Sequence, residues 1–393
     1  SLDGSDTVLQ IFKTMSESHV GEFSFFRVYS GEVQTGEDYH NSNRNIDERF
    51  GQMFLLNGKN RTQVDKLYAG DIAGVVKLKD THTGDTLSSG KHLKLPLLSL
   101  PNPNIHAAIR PTAKGDEEKL AVGLATLHEE DSTFVYRVDS EVNQTIISGQ
   151  GELHLTVSTE RLKRRFDIDI HLEEPKIPYR ETITKKSESK YRHKKQSGGA
   201  GQFAEVWMRI EPKQRGKGIE FTQSLVGQNV DRVFVPSVEK GVNTACKEGI
   251  LSGSKVVDIK IDFYDGKMHP VDSKDIAFQT AGKHAFRDAF LSAQPCLLEP
   301  IMDIEVKVPE EYMGDIMGDI SGKRGKIMGM ESDGGFQIIK AQVPQAELYH
   351  YATTIRSLTG GRGIHSESLS HYEKMPKDYQ QKVIKETKEE GDE

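Results

Sequence analysis

The chain has 393 residues, more than one ordinary domain holds, which predicts two to four domains. With 35% hydrophobic residues, 28% charged residues and 36 glycines, its composition is typical of folded globular modules and excludes fibrous and disordered proteins. The formal net charge is −7, so any nucleic acid would have to contact a local basic surface.

Two cysteines are too few for a disulfide framework or a zinc site, so Cys246 and Cys296 are expected to be reduced and buried. No run of 18 apolar residues occurs, and the first ten residues have neither the basic nor the apolar region of a signal peptide. We therefore expect a cytoplasmic protein that makes no membrane contact.

The first 99 residues predict an all-β domain. Short runs rich in β-branched and aromatic residues alternate with glycine-containing turns, which is typical of a small barrel. These runs are 23–33, 50–57 and 71–78. Two prolines in the segment LSLPNPN, 98–104, interrupt the pattern and predict a linker.

After the linker the pattern changes to strand, helix, two strands, helix, strand. The first helix is predicted over 117–130, where Leu120, Leu124 and Leu127 share one face, and the second over 152–166. The four strands are predicted at 105–111, 134–140, 145–151 and 167–173. This βαββαβ order predicts a split βαβ sandwich.

The same order returns near the C-terminus. Its strands are predicted at 300–309, 326–332, 336–344 and 363–373, and its helices at 312–325 and 345–360. The block between the two copies differs, with a strand at 256–263 and helices at 235–251 and 273–293. The chain ends in a charged helix and an acidic tail. Four methionines (Met313, Met317, Met328, Met330) are interpreted as core packing.

The sequence contains no recognisable catalytic motif. No G-x-x-x-x-G-K-[ST] sequence occurs. The nearest segment, GDISGKRG at 318–325, has the wrong glycine spacing and an arginine where Ser or Thr would hold magnesium. None of the 14 histidines has a metal-ligand spacing, and no G-x-S-x-G nucleophile elbow is present. We therefore expect no catalysis by this chain.

A basic, glycine-rich segment, HKKQSGGAGQF at 193–203, is the most informative feature. Residues 184–196 carry six lysine or arginine side chains against one acid, and glycine lets the backbone approach another molecule closely. That combination suits a polyanion such as RNA. A second loop, YDGKMHPVDS at 264–273, contains a histidine and a proline. The basic lead-in of the first loop favours a ligand-facing tip over an ordinary hairpin connection, whereas the second loop alone is most simply a turn. If the two loops lie together, Gln202 and His269 would form one pair of hydrogen-bonding groups.

Several further strings occur in a fixed order along the chain. They are FFRVYSG (25–31), YAGDI (68–72), TGDTL (83–87), TIISGQGELHL (145–155), PYRETI (178–183), SGGAGQ (197–202), PEEYMGDIMGD (309–319) and YATTIRSLTGGRG (351–363). In this order they resemble elongation factor G, the bacterial ribosomal translocase, over nearly the whole chain.

The resemblance implies a multidomain α+β fold. It assigns residues 1–99 to the family's second domain, a translation-factor β-barrel. It assigns 103–176 and 298–380 to ferredoxin-like third and fifth domains. Between them, 177–297 would be an α/β fourth domain similar to ribosomal protein S5, and 381–393 a charged tail.

The resemblance also implies a function. Family members carry an N-terminal GTPase domain that holds GTP and Mg²⁺, so the chain is expected to be a fragment with no cofactor of its own. The expected partners are the ribosome (rRNA, decoding site and stalk base), tRNA and mRNA, together with ribosome recycling factor, and the protein is expected to be a monomer. The tip-loop residues that match the family are Lys194, Lys195, Ser197, Gly198, Gly199, Gly201, Gln202, His269 and Pro270.

The sequence also departs from the family pattern, which suggests a specialised paralogue. The departures are Ala200 for a usual arginine, Gln150 and Thr156 in the GELHL region, Ser321-Gly322-Lys323, and His365. A recycling-specialised paralogue, a tetracycline ribosome protection protein and a stand-alone ribosome-binding module without GTPase activity remain alternatives. The intact loops argue against tetracycline protection. The missing P-loop favours the stand-alone module.

Overall fold

A computed structural model describes residues 6–17, 21–58, 60–90, 93–97, 99–195 and 201–391. Over these residues the protein is multidomain α+β, with seven α-helices and a larger number of strands. It forms two compact units: residues up to 176 with 349–357, and residues 177–348 with 358–393. None of the described helices has the length and hydropathy of a membrane span.

Every element described before residue 100 is a strand, as the sequence predicts. Eight of these strands form a sheet in the order β5-β4-β10-β1-β2-β9-β6-β7, and β3 pairs with β8. The strands are β1 (Val8–Glu17), β2 (Gly21–Ser30), β3 (Glu32–Gln34), β4 (Asp38–Asn41), β5 (Ile46–Arg49), β6 (Met53–Asn57), β7 (Asn60–Val64), β8 (Lys66–Tyr68), β9 (Ile72–Val76) and β10 (Thr86–Ser88). Phe50 anchors their core, edge-on to Phe26 at 5.4 Å and to Tyr39 at 4.9 Å.

The predicted linker has no helix or strand over 99–104, and the predicted βαββαβ order follows it. The elements are β11 (Ile105–Pro111), α1 (Glu117–Glu130), β12 (Val135–Asp139), β13 (Gln144–Gly149), α2 (Glu152–Phe166) and β14 (Ile170–Glu173). The antiparallel sheet has the order β12-β13-β11-β14. Leu120, Leu124 and Leu127 of α1 are buried in its core, which confirms the helical face read from their spacing.

The second unit contains two further sheets. Its elements are β15 (Arg180–Ile183), β16 (Ser187–Lys195), β17 (Gln202–Pro212), β18 (Glu220–Gln223), α3 (Val235–Glu248), β19 (Ile259–Lys267), α4 (Asp275–Ser292), β20 (Pro295–Pro309), α5 (Met313–Gly322), β21 (Lys326–Asp333), β22 (Phe336–Pro344), α6 (Tyr351–Leu358, most of which belongs to the first unit), β23 (Ile364–Lys374) and α7 (Lys377–Gly391). The helices α3 and α4 pack against the four-stranded sheet β16-β17-β19-β18.

The C-terminal sheet repeats the earlier strand order as β21-β22-β20-β23, so the two βαββαβ segments share one topology. It also gains β15, which pairs with the start of the 15-residue strand β20. Because β15 lies far earlier in the chain, this pairing joins the N-terminal end of the middle block to the C-terminal sheet.

The interpretation of the methionine cluster as core packing is wrong for two of its members. Met328 and Met330 are 55% and 49% exposed. Both lie on the edge strand β21, and the pairing register of that strand shifts between Ile327 and Gly329. Burial along β21 still alternates from Lys326 to Met330, and the two methionines occupy the exposed positions of this edge strand.

Glu181 of β15 is a buried carboxylate that bonds the segment after α3. Its side chain is fully buried, and its carboxylate accepts hydrogen bonds from the backbone N–H groups of Ile250, Leu251, Ser252 and Ser254 at 2.7–3.1 Å. Its backbone bonds the same region, since Glu181 N donates to Lys255 O and Val257 N donates to Glu181 O. A buried carboxylate requires such donors.

Replacing the carboxylate tests this role. Glu181→Gln would set an NH₂ donor against backbone N–H donors, and each hydrogen bond to a charged group contributes about 1.5–3 kcal/mol. We expect a loss of about 3 kcal/mol or more in the free energy of unfolding of the second unit, measured by urea denaturation. Glu248→Gln, which removes an exposed partner of Lys283, should change it by less than about 1 kcal/mol. Equal effects would contradict the assignment.

In the first unit, a histidine joins the β-sheet segment to α1. His82 Nδ1 lies 2.7 Å from Glu129 Oε2 and its Nε2 lies 3.1 Å from Asp80 Oδ1. Partial burial lowers the pKa of His82, but the hydrogen bonds and negative charges of Glu129 and Asp80 outweigh it, and the pKa is raised. The protonated imidazole is therefore favoured in the folded state.

This raised pKa gives the first unit a defined pH dependence. The contribution of His82 should be fully present below the ordinary histidine pKa of about 6.5 and should be lost as pH rises through the raised folded-state value. Between about pH 6 and pH 8 the thermal unfolding midpoint should fall less in His82→Gln than in the parent chain. The exposed His171→Gln should leave that change as it is in the parent chain. A parallel shift of the whole pH curve in the His82 variant would contradict this account.

Candidate functional site

The described ends of the basic glycine-rich segment belong to two paired strands. The strands β16 and β17 pair in antiparallel register up to Lys195 opposite Gln202, so residues 196–201 connect them. Lys194 and Lys195 are exposed at the end of β16. Ser197, Gly198 and Gly199 of the predicted tip lie outside the described residues, as does the departure at position 200.

The second loop connects β19 to α4. Ser273 N donates to His269 O at 3.2 Å, which closes a turn over 269–273, and His269 N donates to Ser273 Oγ at 2.8 Å. Because β17 and β19 are antiparallel neighbours, the start of one lies beside the end of the other, with Glu205 opposite Lys267. The sheet topology alone therefore brings the two loops to the same end.

Direct contacts join the two loops. Phe203 N donates to Asp272 O at 3.0 Å, and Ser273 Oγ donates to Phe203 O at 2.8 Å. The rings of Phe203 and His269 meet edge to face at 6.3 Å. For the described residues, the structure thus places the two predicted loops side by side. A Cβ at Gly201 would lie 2.9 Å from the carboxyl carbon of Asp272, so the first loop also approaches the second closely here.

The imidazole of His269 is held in one tautomer. Its Nδ1 accepts from the backbone N–H groups of Val271 and Asp272 at 3.3 and 3.2 Å, so Nδ1 is unprotonated and Nε2 carries the proton. The carboxylate of Asp272 lies 3.4 Å from Nδ1. Gln202 Oε1 accepts from His193 Nε2 at 3.1 Å.

The tip presents an exposed, positively charged surface. The side chain of His269 is 52% exposed, and Val271 beside the exposed Pro270 is 75% exposed. Four lysines of this end are exposed: Lys194, Lys195, Lys267 and Lys274. Such a surface can attract phosphate and donate hydrogen bonds, and none of these groups is arranged as a nucleophile and a base.

The sequence reasoning missed the residues that hold the tip together. Ser273 bridges the two loops and Phe203 packs against the histidine, yet in the sequence both are only members of a loop. The partner carbonyl of Phe203, 70 positions away, is fixed only by the pairing of β17 with β19.

Four family models match consecutive segments of the chain. They are elongation factor G domain 2 at 7–90, domain III at 100–174, domain IV at 175–294 and the elongation factor G C-terminus at 296–383. The chain belongs to the elongation factor G family. Both tip loops lie in the segment that matches domain IV.

A solved structure supports this membership. The chain is similar to the crystal structure of a protein from Thermus thermophilus, with 33% sequence identity and a TM-score of 0.83. The similarity covers 98% of this chain and 58% of that one. The chain therefore spans a little over half the length of that relative.

The bridge at Ser273 can be tested by removing its hydroxyl. Ser273→Ala loses the bonds to His269 N and Phe203 O, each contributing about 0.5–1.5 kcal/mol. We expect faster hydrogen exchange at the His269 amide by roughly tenfold. Ser292→Ala, which removes a local hydroxyl bond on α4 to Asp288 O, should leave that amide unchanged. Unchanged exchange in Ser273→Ala would show that the bridge does not hold the tip.

Proposed function

We propose that the protein acts in ribosomal translocation of tRNA and mRNA, with the tip of the domain IV segment entering the decoding A site of the ribosome. The supporting observation is the junction of the two loops through Phe203, Asp272 and Ser273, which builds one exposed basic end on a packed sheet. Elongation factor G domains are those of a translation factor, and rRNA, tRNA and mRNA are the polyanions that such an end would meet.

The domain folds implied by the resemblance belong to the same proposal. The shared sheet order of the two βαββαβ segments supports two ferredoxin-like domains, at 103–176 and 298–380. The eight-stranded sheet supports a translation-factor barrel at 1–99, and the two-helix sheet at 177–297 supports an S5-like fourth domain.

The described residues do not fit GTP or Mg²⁺. The GDISGKRG segment lies in the last turns of α5 and just beyond, whereas a phosphate loop precedes a helix and uses its positive N-terminal end. No group of three or more His, Cys, Asp or Glu side chains in the described ranges is placed to hold a metal ion. We derive no step through a nucleotide. In this proposal GTP and Mg²⁺ belong to a GTPase domain of the family.

The role of the tip is to occupy space as much as to bind. A single hydrogen bond contributes about 0.5–1.5 kcal/mol net, so neither the Nε2–H of His269 nor the amide of Gln202 would hold a tRNA alone. A tip braced by backbone bonds can instead fill a vacated site and prevent back-slippage, while the lysines attract phosphates in a salt-dependent manner. The presence of both loops favours translocation over tetracycline ejection.

The tip can be located on the ribosome by directed hydroxyl-radical probing. The two natural cysteines are free and buried, and desolvation, with a smaller effect of the Glu181 charge, raises the pKa of the Cys246 thiol to about 12. A chelated-iron reagent should therefore react selectively with a cysteine introduced by Val271→Cys. We expect rRNA cleavage centred on the small-subunit decoding site.

The matched control is Val138→Cys on β12, where the native side chain is 72% exposed. It should cleave rRNA elsewhere and leave the decoding site intact. Cleavage from position 271 that avoids the decoding site, or is absent while position 138 cleaves, would contradict the proposal. Subunit splitting assays with recycling factor, and tetracycline release assays on the same ribosomes, distinguish the alternative roles.

A further inference from the structure

The sheet β16-β17-β19-β18 has one covered and one open face. Helices α3 and α4 cover the face that carries the buried residues Ala204, Val206, Met208 and Ile210 of β17. The intervening side chains of β17 alternate to the opposite face. These are Phe203, Glu205, Trp207, Arg209 and Glu211, and the register places Lys190, Arg192 and Lys194 of β16 beside them. Of the described helices, α4 contacts β16 and β17, and its contacts with Ser189 and Tyr191 place it on the covered face.

Two aromatic rings lie at the centre of this open face. Trp207, the single tryptophan of the chain, meets Tyr264 of β19 edge to face at 6.2 Å. The Lys190 ammonium lies 5.5 Å from the Trp207 ring centre, and the Arg209 guanidinium lies 5.1 Å from that of Tyr264. Both rings are partly exposed. Rings paired with cations on a flat sheet are the elements with which proteins stack unpaired nucleobases.

A groove of about 770 Å³ adjoins the aromatic pair. Its wall carries three cations and three carboxylates, together with the hydroxyl residues Thr222 and Ser224. The charged residues are Lys186, Arg209, Lys260, Glu188, Glu211 and Asp262. From the groove, the lysines of β16 continue along the open face to the tip. The nine residues of β16 cover about 30 Å, which suits a strand of several nucleotides.

The charges of the open face favour a polyanion. By the pairing register, seven cations, with Lys186 of the groove included, and six carboxylates lie on this side, although the whole chain has a net charge of −7. Four of the carboxylates are already paired: Glu205 with Arg192, Asp262 with Arg209, Glu220 with Lys213, and Glu211 with both Lys186 and Lys260. Lysine is depleted in protein–protein interfaces, so four or more lysines around two aromatic rings favour nucleic acid as the occupant.

We propose that this open face, with Trp207 and Tyr264 at its centre, binds single-stranded RNA by base stacking, continuous with the phosphate-attracting tip. An incoming base would displace the Lys190 side chain from the Trp207 ring and leave the ammonium to pair with a phosphate. Arg209, held by Asp262 through Nε at 2.8 Å, stays in place and offers its plane as a further stacking surface. The inference rests on the proposed function only for the source of the RNA, and its test needs no ribosome.

The probe is a fluorescein-labelled (A)₁₂ RNA titrated into the intact chain, read by RNA anisotropy and by the intrinsic emission of Trp207. We expect saturable quenching that coincides with the anisotropy change and weakens as salt rises. A hairpin duplex RNA of the same length should bind at least tenfold more weakly, because its bases are not available to stack. Equal binding of duplex and single strand would overturn the proposal.

Variants separate stacking from charge. Tyr264→Leu should weaken (A)₁₂ binding by about tenfold, and Tyr264→Phe should restore it because only the ring face is required. Lys190→Gln should reduce the slope of log affinity against log salt by about 0.7. The matched control is Tyr29→Leu, since Tyr29 is an exposed tyrosine with Arg27 at 5.5 Å on β2. Full binding of (A)₁₂ by a folded Tyr264→Leu chain would overturn the proposal. Failure of the Val271→Cys variant to cleave the decoding site would contradict the proposed function but not this proposal.

Discussion

The buried carboxylate of Glu181 is the interaction on which the geometry of the second unit depends. It accepts four backbone N–H groups from the turn that ends α3, while the backbone on both sides of it bonds the segment leading into β19. The opposite end of β19 carries the His269 turn. A charge with several donors in a dry environment resists displacement, because any opening leaves it unsatisfied. One side chain therefore fixes the strand that carries the tip.

Much of the fold could be predicted from local sequence patterns. The helices α1, α2, α3 and α4 follow apolar periodicity and begin within two residues of their predicted starts. The pairing of β15 with β20 could not be predicted, because a four-residue strand has no signature of its partner. The exposure of Met328 was also unpredictable, because the sequence does not show that β21 is an edge strand or which of its alternating positions is exposed.

Part of the candidate site could likewise be predicted from the sequence, and part could not. The glycine-rich loop and His269 stood out because their residue types are unusual for their positions. The contacts that join the two loops did not stand out, because Phe203 and Ser273 are common residues and only the sheet register brings them together. The aromatic pair was likewise not foreseen, since Trp207 and Tyr264 are 57 positions apart and lie together through the pairing of β17 with β19. The residue types that suggest the chemistry could be recognised in the sequence, but their arrangement in space could not.

The position of the basic tip thus depends on β19, and the start of β19 is in turn held by the buried carboxylate of Glu181. Native-state hydrogen exchange at the amides of Ile250, Leu251, Ser252 and Ser254 tests its first step most directly. If Glu181 holds this turn, the four amides exchange only through the same opening as the amides of β19, with one common free energy. Fast local exchange of these four amides while β19 stays protected would contradict the account.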